Sequence, residues 1–151
     1  MKQQSSLIAI TPHVQLEGLL LWVHGYQFPE IEDDWDGNWL NVSACCRVED
    51  TEVWVKGPIL HLSEIKRWLE ECEQLSRTLS GKAALACMEP HLKVTLQIDK
   101  LGAIAMTVEI TPDHLAQRHQ FSFAIDQSYL EKLIRECRQV LLEYPIRENK
   151  I

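Results

Sequence analysis

Leu40, Val42, Ala44, Cys46 and Val48 alternate with Asn41, Ser43, Cys45 and Arg47, and further along Leu92, Val94, Leu96 and Ile98 alternate with Lys93, Thr95, Gln97 and Asp99. Successive side chains of a strand point to opposite faces, so each run has one side for a core and one for water. That pattern commits the chain to antiparallel sheet with one covered face. Each run also turns back on itself. Glu49-Asp50-Thr51 leads into a returning strand over 53–59, and Lys100-Leu101-Gly102 leads into Ile104, Met106, Val108 and Ile110. Residues 7–10 and 14–26 read as extended, interrupted by Pro12 and Gly18, residues 83–88 as a strand, and Phe121, Phe123 and Ile125 as another.

The cover comes from two helices. Ser63 opens the first, whose apolar face is Ile65, Trp68, Leu69, Cys72, Leu75 and Leu79, and Gly81 is expected to end it. Ser128 and Glu131 have capping-box spacing for the second, with Leu130, Leu133, Ile134, Cys137, Val140, Leu141 and Tyr144 on its face and Pro145 as its stop. The expectation is an α+β fold: a mainly antiparallel sheet of about seven or eight strands with two helices packed on it, arranged as two strand-strand-helix units. No linker divides the 151 residues, so 1–151 reads as a single domain with its core over 7–146.

No apolar run approaches the roughly 18 residues of a membrane span, and the first residues lack the basic start and long apolar stretch of a secretion signal. The five cysteines (45, 46, 72, 87 and 137) sit mostly on apolar faces without C-x-x-C spacing. They read as small hydrophobes in a reducing cytoplasm.

The sequence contains no P-loop, no G-x-G-x-x-G and no G-x-S-x-G. The six histidines are scattered; His114 and His119 flank a loop and read as an exposed pair before a metal site. Asp33, Asp34 and Asp36 supply carboxylates, yet neighbouring loop acids without an apolar pocket have no reason to be poised for acid–base work. We expect no catalytic residues, no metal and no cofactor.

Charge is unevenly placed. The formal net charge is −7, and residues 30–52 alone hold eight acids (Glu30, Glu32, Asp33, Asp34, Asp36, Glu49, Asp50, Glu52) against Arg47. The rest of the chain balances. A concentration of that kind draws a cationic partner and opposes direct binding to nucleic acid. Within it, Asp36-Gly37-Asn38 is turn chemistry, with glycine free to take positive φ. Trp35 and Trp39 read either as core residues clamping that turn or, for Trp35, as an interface anchor among acids.

The run Asp34-Trp35-Asp36-Gly37-Asn38-Trp39-Leu40 resembles the signature of WapI-family immunity proteins, bacterial antitoxins of contact-dependent and other polymorphic toxin systems. The likeness extends over about residues 17–146, through the first helix, Met88-Glu89-Pro90, the strand running into Asp126-Gln127-Ser128, and the closing helix at Tyr144-Pro145. It implies a non-catalytic cytoplasmic protein that neutralises a cognate toxin by direct binding. A nuclease with a basic groove is one toxin that an acidic surface suits. The contact residues expected are Glu30, Glu32, Asp33, Asp34, Trp35 and Asp36, with neither nucleic acid nor membrane as a partner. Two other readings stay open at this point: a different acidic interaction protein, such as a secretion chaperone, and a small enzyme or ligand-binding module.

Overall fold

The structure, a computed structural model, describes residues 2–149. Its elements run α1 (Lys2–Ile8), β1 (Val14–Leu16), β2 (Leu19–Tyr26), a 3-10 turn (Asp36–Asn38), β3 (Trp39–Val48), β4 (Thr51–His61), α2 (Leu62–Thr78), β5 (Lys82–Ala86), β6 (Leu92–Ile98), β7 (Ala103–Ile110), β8 (Gln120–Asp126) and α3 (Ser128–Glu143). The eight strands form two four-stranded antiparallel sheets, ordered β1-β2-β3-β4 and β5-β6-β7-β8. Each sheet is an unbroken meander followed by a helix. The repeat expected from the sequence is present, with four strands per unit rather than two.

The alternation decides the register. Leu21 pairs with Ala44 and Ala44 with Val55, all facing the core, while Trp22, Ser43 and Lys56 form the row on the opposite face. In the second sheet Leu85, Val94 and Val108 align as a buried row. The sets Leu40/Val42/Ala44, Leu92/Val94/Leu96 and Ile104/Met106/Val108 are all buried in one cluster with the apolar faces of α2 and α3. A slip of one residue in any of these strands would turn its core face to water. Helix α2 lies against β5 and α3, and α3 reaches back to β1, so the helices tie the two units together.

Several local expectations change. Residues 7–10 are not a strand: Leu7 and Ile8 close α1, and the Ile10 N–H bonds back to the Leu7 carbonyl. Four apolar residues carry no period of their own, and the sheet edge begins only at Val14, beyond Pro12. Residues 14–26 are a hairpin, with Leu16 paired to Leu19 across Glu17-Gly18. A Cβ on Gly18 would stand 2.1 Å from the Arg47 carbonyl oxygen, so close backbone approach requires the glycine. Helix α2 ends at Leu79, which takes the left-handed conformation (φ 52°) two residues before Gly81. Helix α3 lacks the capping box expected from Ser128 and Glu131. Gln127 is its N-cap without a side-chain bond, and Asp126 Oδ1 accepts from the Ser128 N–H instead.

Cys45 and Cys46 point to opposite faces, as strand geometry demands, and both are buried. Burial pushes the thiols of Cys45, Cys46 and Cys72 up to about 12, and those of Cys87 and Cys137 higher still. They stay protonated and serve as packing.

Candidate functional site

The acids of residues 30–52 do not make one surface. Glu30–Asp36 lie in the β2–β3 loop, whereas Glu49 and Asp50 turn β3 into β4 at the other end of the sheet. β3 separates them by roughly 30 Å at about 3.3 Å per residue. Glu52 is also paired with Arg47 at 3.2 Å. The six residues expected to bind a partner, by contrast, share one loop: Glu30, Glu32, Asp34, Trp35 and Asp36 are exposed, and Asp33 is half-buried.

Their roles differ. Asp33 Oδ1 accepts from the N–H groups of Trp35 (3.0 Å) and Gly37 (2.8 Å), which ties the loop into its 3-10 turn. Asp33 therefore does the backbone bonding that the sequence suggested for Asp36. Asn38 fills the other expected turn role: it is buried at 2% exposure, and its side chain donates to the Asp34 carbonyl (3.0 Å). Asp34 itself accepts from the Asn149 side chain at 3.1 Å. Gly37 does not take positive φ; it is glycine because a Cβ would fall 2.4 Å from the Ile31 carbonyl oxygen. Gly37→Ala is expected to push this loop apart at a cost of about 1–3 kcal/mol, the range for overpacking. Urea unfolding measures that cost, and limited proteolysis should find new cleavage between residues 28 and 38.

Trp35 is half exposed, and its ring rests on the His61 imidazole with centroids 4.6 Å apart. Trp39 meets both rings edge-on, at 5.9 Å and 4.9 Å. The clamp expected of the two tryptophans exists, but it closes on a histidine that nothing in the linear pattern marked. His61 is the N-cap of α2. Its Nδ1 accepts from the Ser63 N–H, so the ring proton sits on Nε2 and donates to the Trp35 carbonyl at 3.0 Å. Trp35 is thus half exposed, with its ring resting on the imidazole and its carbonyl held by the helix start.

Glu64 completes the support. Oε1 accepts from the His61 N–H (2.8 Å) and Oε2 from the Met88 N–H (2.6 Å), joining the loop end of β4 to the segment after β5. Burial raises its carboxyl above the ordinary range, only partly offset by those two amides. The folded state therefore holds this proton more tightly than the unfolded chain. The side chain's stabilising contribution is complete below the unfolded value, about 4.3, and is lost as pH rises through the higher folded one. Glu64→Gln stays neutral at every pH and stands in for the protonated carboxyl, so wild type should lose stability relative to this variant as pH rises from about 4 toward 8, read from chemical denaturation across that range.

Around this framework Phe28, Ile31, Trp35, Met88 and Ile146 are exposed apolar side chains at the same end of the molecule, among the loop acids. An aromatic centre with a charged rim is the composition of a protein contact surface. His114 meets His91 at 6.0 Å rather than pairing with His119. Among the described residues, no helix is long and apolar enough to cross a membrane.

No curated protein matches this sequence. Among solved structures, a chain from "Crystal structures of trypanosoma bruciei MRP1/MRP2" is similar over 94% of this chain and 92% of its own, at 14% identity and a TM-score of 0.43. That level of similarity says nothing about what this chain binds. The family model described as the immunity protein WapI-like family matches residues 13–145, a span that takes in all eight strands, the tryptophan loop and both long helices. The chain belongs to the WapI-like immunity protein family.

Proposed function

We propose that this protein neutralises a cognate toxin by binding it directly, without catalysis, and that the surface built on Glu30, Glu32, Asp33, Asp34, Trp35 and Asp36 makes the contact. The observation that carries this reading is the half-exposed Trp35, seated on His61 within a loop of carboxylates. The ring is fixed before any partner arrives, so little conformational entropy is lost on docking. The acids around it favour a partner with a basic surface, and a nuclease groove that normally holds phosphates has that character. Asp33 contributes by shaping the loop, and Glu30, Asp36 and Trp35 by facing outward.

A non-catalytic role agrees with the chemistry at hand. The buried carboxylate beside the loop, Glu64, has both oxygens committed to backbone amides, and the thiols are kept protonated by burial. Family membership is compatible with the cytoplasm of the producing cell as the place of action.

The test is co-expression with the toxin domain of the large reading frame expected beside this gene. Wild-type protein should restore growth and co-purify with that domain at equal stoichiometry. Restored growth without a complex would argue for an indirect or catalytic route, and a gene set within a metabolic operon would undercut the reading.

A further inference from the structure

The loop is held from a distance by the end of the chain. After α3, residues 144–149 fold back across the β2–β3 loop, and Arg147 sits at the centre of the contact. Its Nη1 donates to the carbonyls of Phe28 (3.1 Å) and Ile31 (2.8 Å), and its guanidinium carbon lies 3.6 Å over the Tyr26 ring. Its main chain is gripped in turn. The Arg147 N–H donates to Asn38 Oδ1 (2.7 Å), and Asn38 Nδ2 donates to the Arg147 carbonyl (2.9 Å). Tyr26 donates its hydroxyl to the Pro145 carbonyl (2.6 Å) and meets Tyr144 edge-on at 5.7 Å. The Ile31 carbonyl that Arg147 binds is the one that leaves no room for a Cβ on Gly37, and the Arg147 stem lies against that same position.

These contacts converge on one job. The loop has its own short-range bonds at Asp33, but its first half, residues 28–31, is joined to the turn at Asn38 mainly through Arg147. We infer that Arg147 is a positioning residue: it spans the two halves of the loop and holds Trp35 and the outward carboxylates in a single arrangement for the partner. The consequence for binding rests on the proposed role of the loop as the contact surface; the consequence for loop order does not. Arginine suits the task because its Nη1 satisfies two carbonyls while the planar guanidinium lies over an aromatic ring, an arrangement that the compact lysine ammonium does not reproduce.

Hydrogen exchange and indole 1H–15N spectra on the full chain read the loop without any partner. In Arg147→Ala, the amides of Ile31, Trp35, Gly37 and Asn38 should exchange roughly ten- to a hundredfold faster, as expected when charge-assisted bonds are lost from a local opening unit. Amides of β3 and α2 should keep their rates, and the Trp35 indole resonance, assigned with Trp35→Phe, should move. Arg147→Lys preserves the charge and most of the stem, so it guards against a variant that fails to fold, and it should still loosen the loop. Unchanged loop exchange in Arg147→Ala, or full protection in Arg147→Lys, would overturn the inference. The binding arm uses the toxin domain of the neighbouring gene. A loosened Arg147→Ala should bind roughly tenfold more weakly, chiefly through slower association as competent loops become rarer. A loosened loop that binds as well as wild type would also overturn it. Wild-type protein that fails to bind at all counts against the proposed function, and the exchange result then decides the inference by itself.

Discussion

Trp68→Ala is expected to lower the stability of the fold by about 3–5 kcal/mol, the range for truncating a large buried aromatic. Trp68 is fully buried on α2, the helix that packs on β5 and on α3 and so joins the two units. Its loss therefore strikes the packing between units as well as within one. The indole Nε1 has no hydrogen-bond partner among the described residues, so the native side chain already carries the cost of a desolvated donor. Trp68→Phe removes that donor and keeps most of the ring, so it should fall within about 1.5 kcal/mol of wild type as the two effects offset. Urea denaturation of both variants measures the difference. A small loss in Trp68→Ala would mean that the helix layer holds the sheets together less than its burial implies.

Trp35→Ala should give the opposite pattern. The ring is half exposed and its intramolecular contacts are two aromatic neighbours, so the fold should lose no more than about 1.5 kcal/mol. Binding to the cognate toxin should weaken by about 2–4 kcal/mol, the scale of a central aromatic anchor, mostly as faster dissociation. Calorimetric titration of the toxin domain, alongside a thermal melt, separates the two losses. A large drop in melting temperature with unchanged affinity would make Trp35 a structural residue and move the contact elsewhere.

The parts of the fold set by periodicity were legible in the sequence. Leu40/Val42/Ala44 and Leu92/Val94/Leu96 face the core because a pleated strand allows nothing else, and the helical faces of Trp68 and Cys137 follow from the same logic. Element ends were less legible. Leu79 rather than Gly81 caps α2, and Asp126 does work expected of Ser128, because caps depend on φ/ψ at single residues that many side chains tolerate. The 30–52 acids looked like one patch since a linear count ignores that β3 carries its ends apart. The loop itself was visible from charge and tryptophan content, but its supports were not. His61 reads as the last residue of a strand, and Arg147 lies more than a hundred positions from the carbonyls it binds. Such contacts are tertiary, and no local pattern encodes them. Asp33 shows the practical consequence. The sequence places it with the contact acids, yet neutralising it would release two loop amides, so charge removal is better confined to Glu30 and Asp36.

The kinetics of toxin binding by the Glu30→Gln/Asp36→Asn double variant, at low and at physiological salt, test the central claim most directly. Those carboxylates are exposed, so their removal should leave the fold intact while reducing attraction that ordinary salt screens beyond roughly 8–10 Å. Association should slow markedly at low salt, the deficit should shrink as salt is added, and dissociation should change little. Association equal to wild type at both salt concentrations would contradict the account, leaving the loop as solvated surface and the toxin contact on another face.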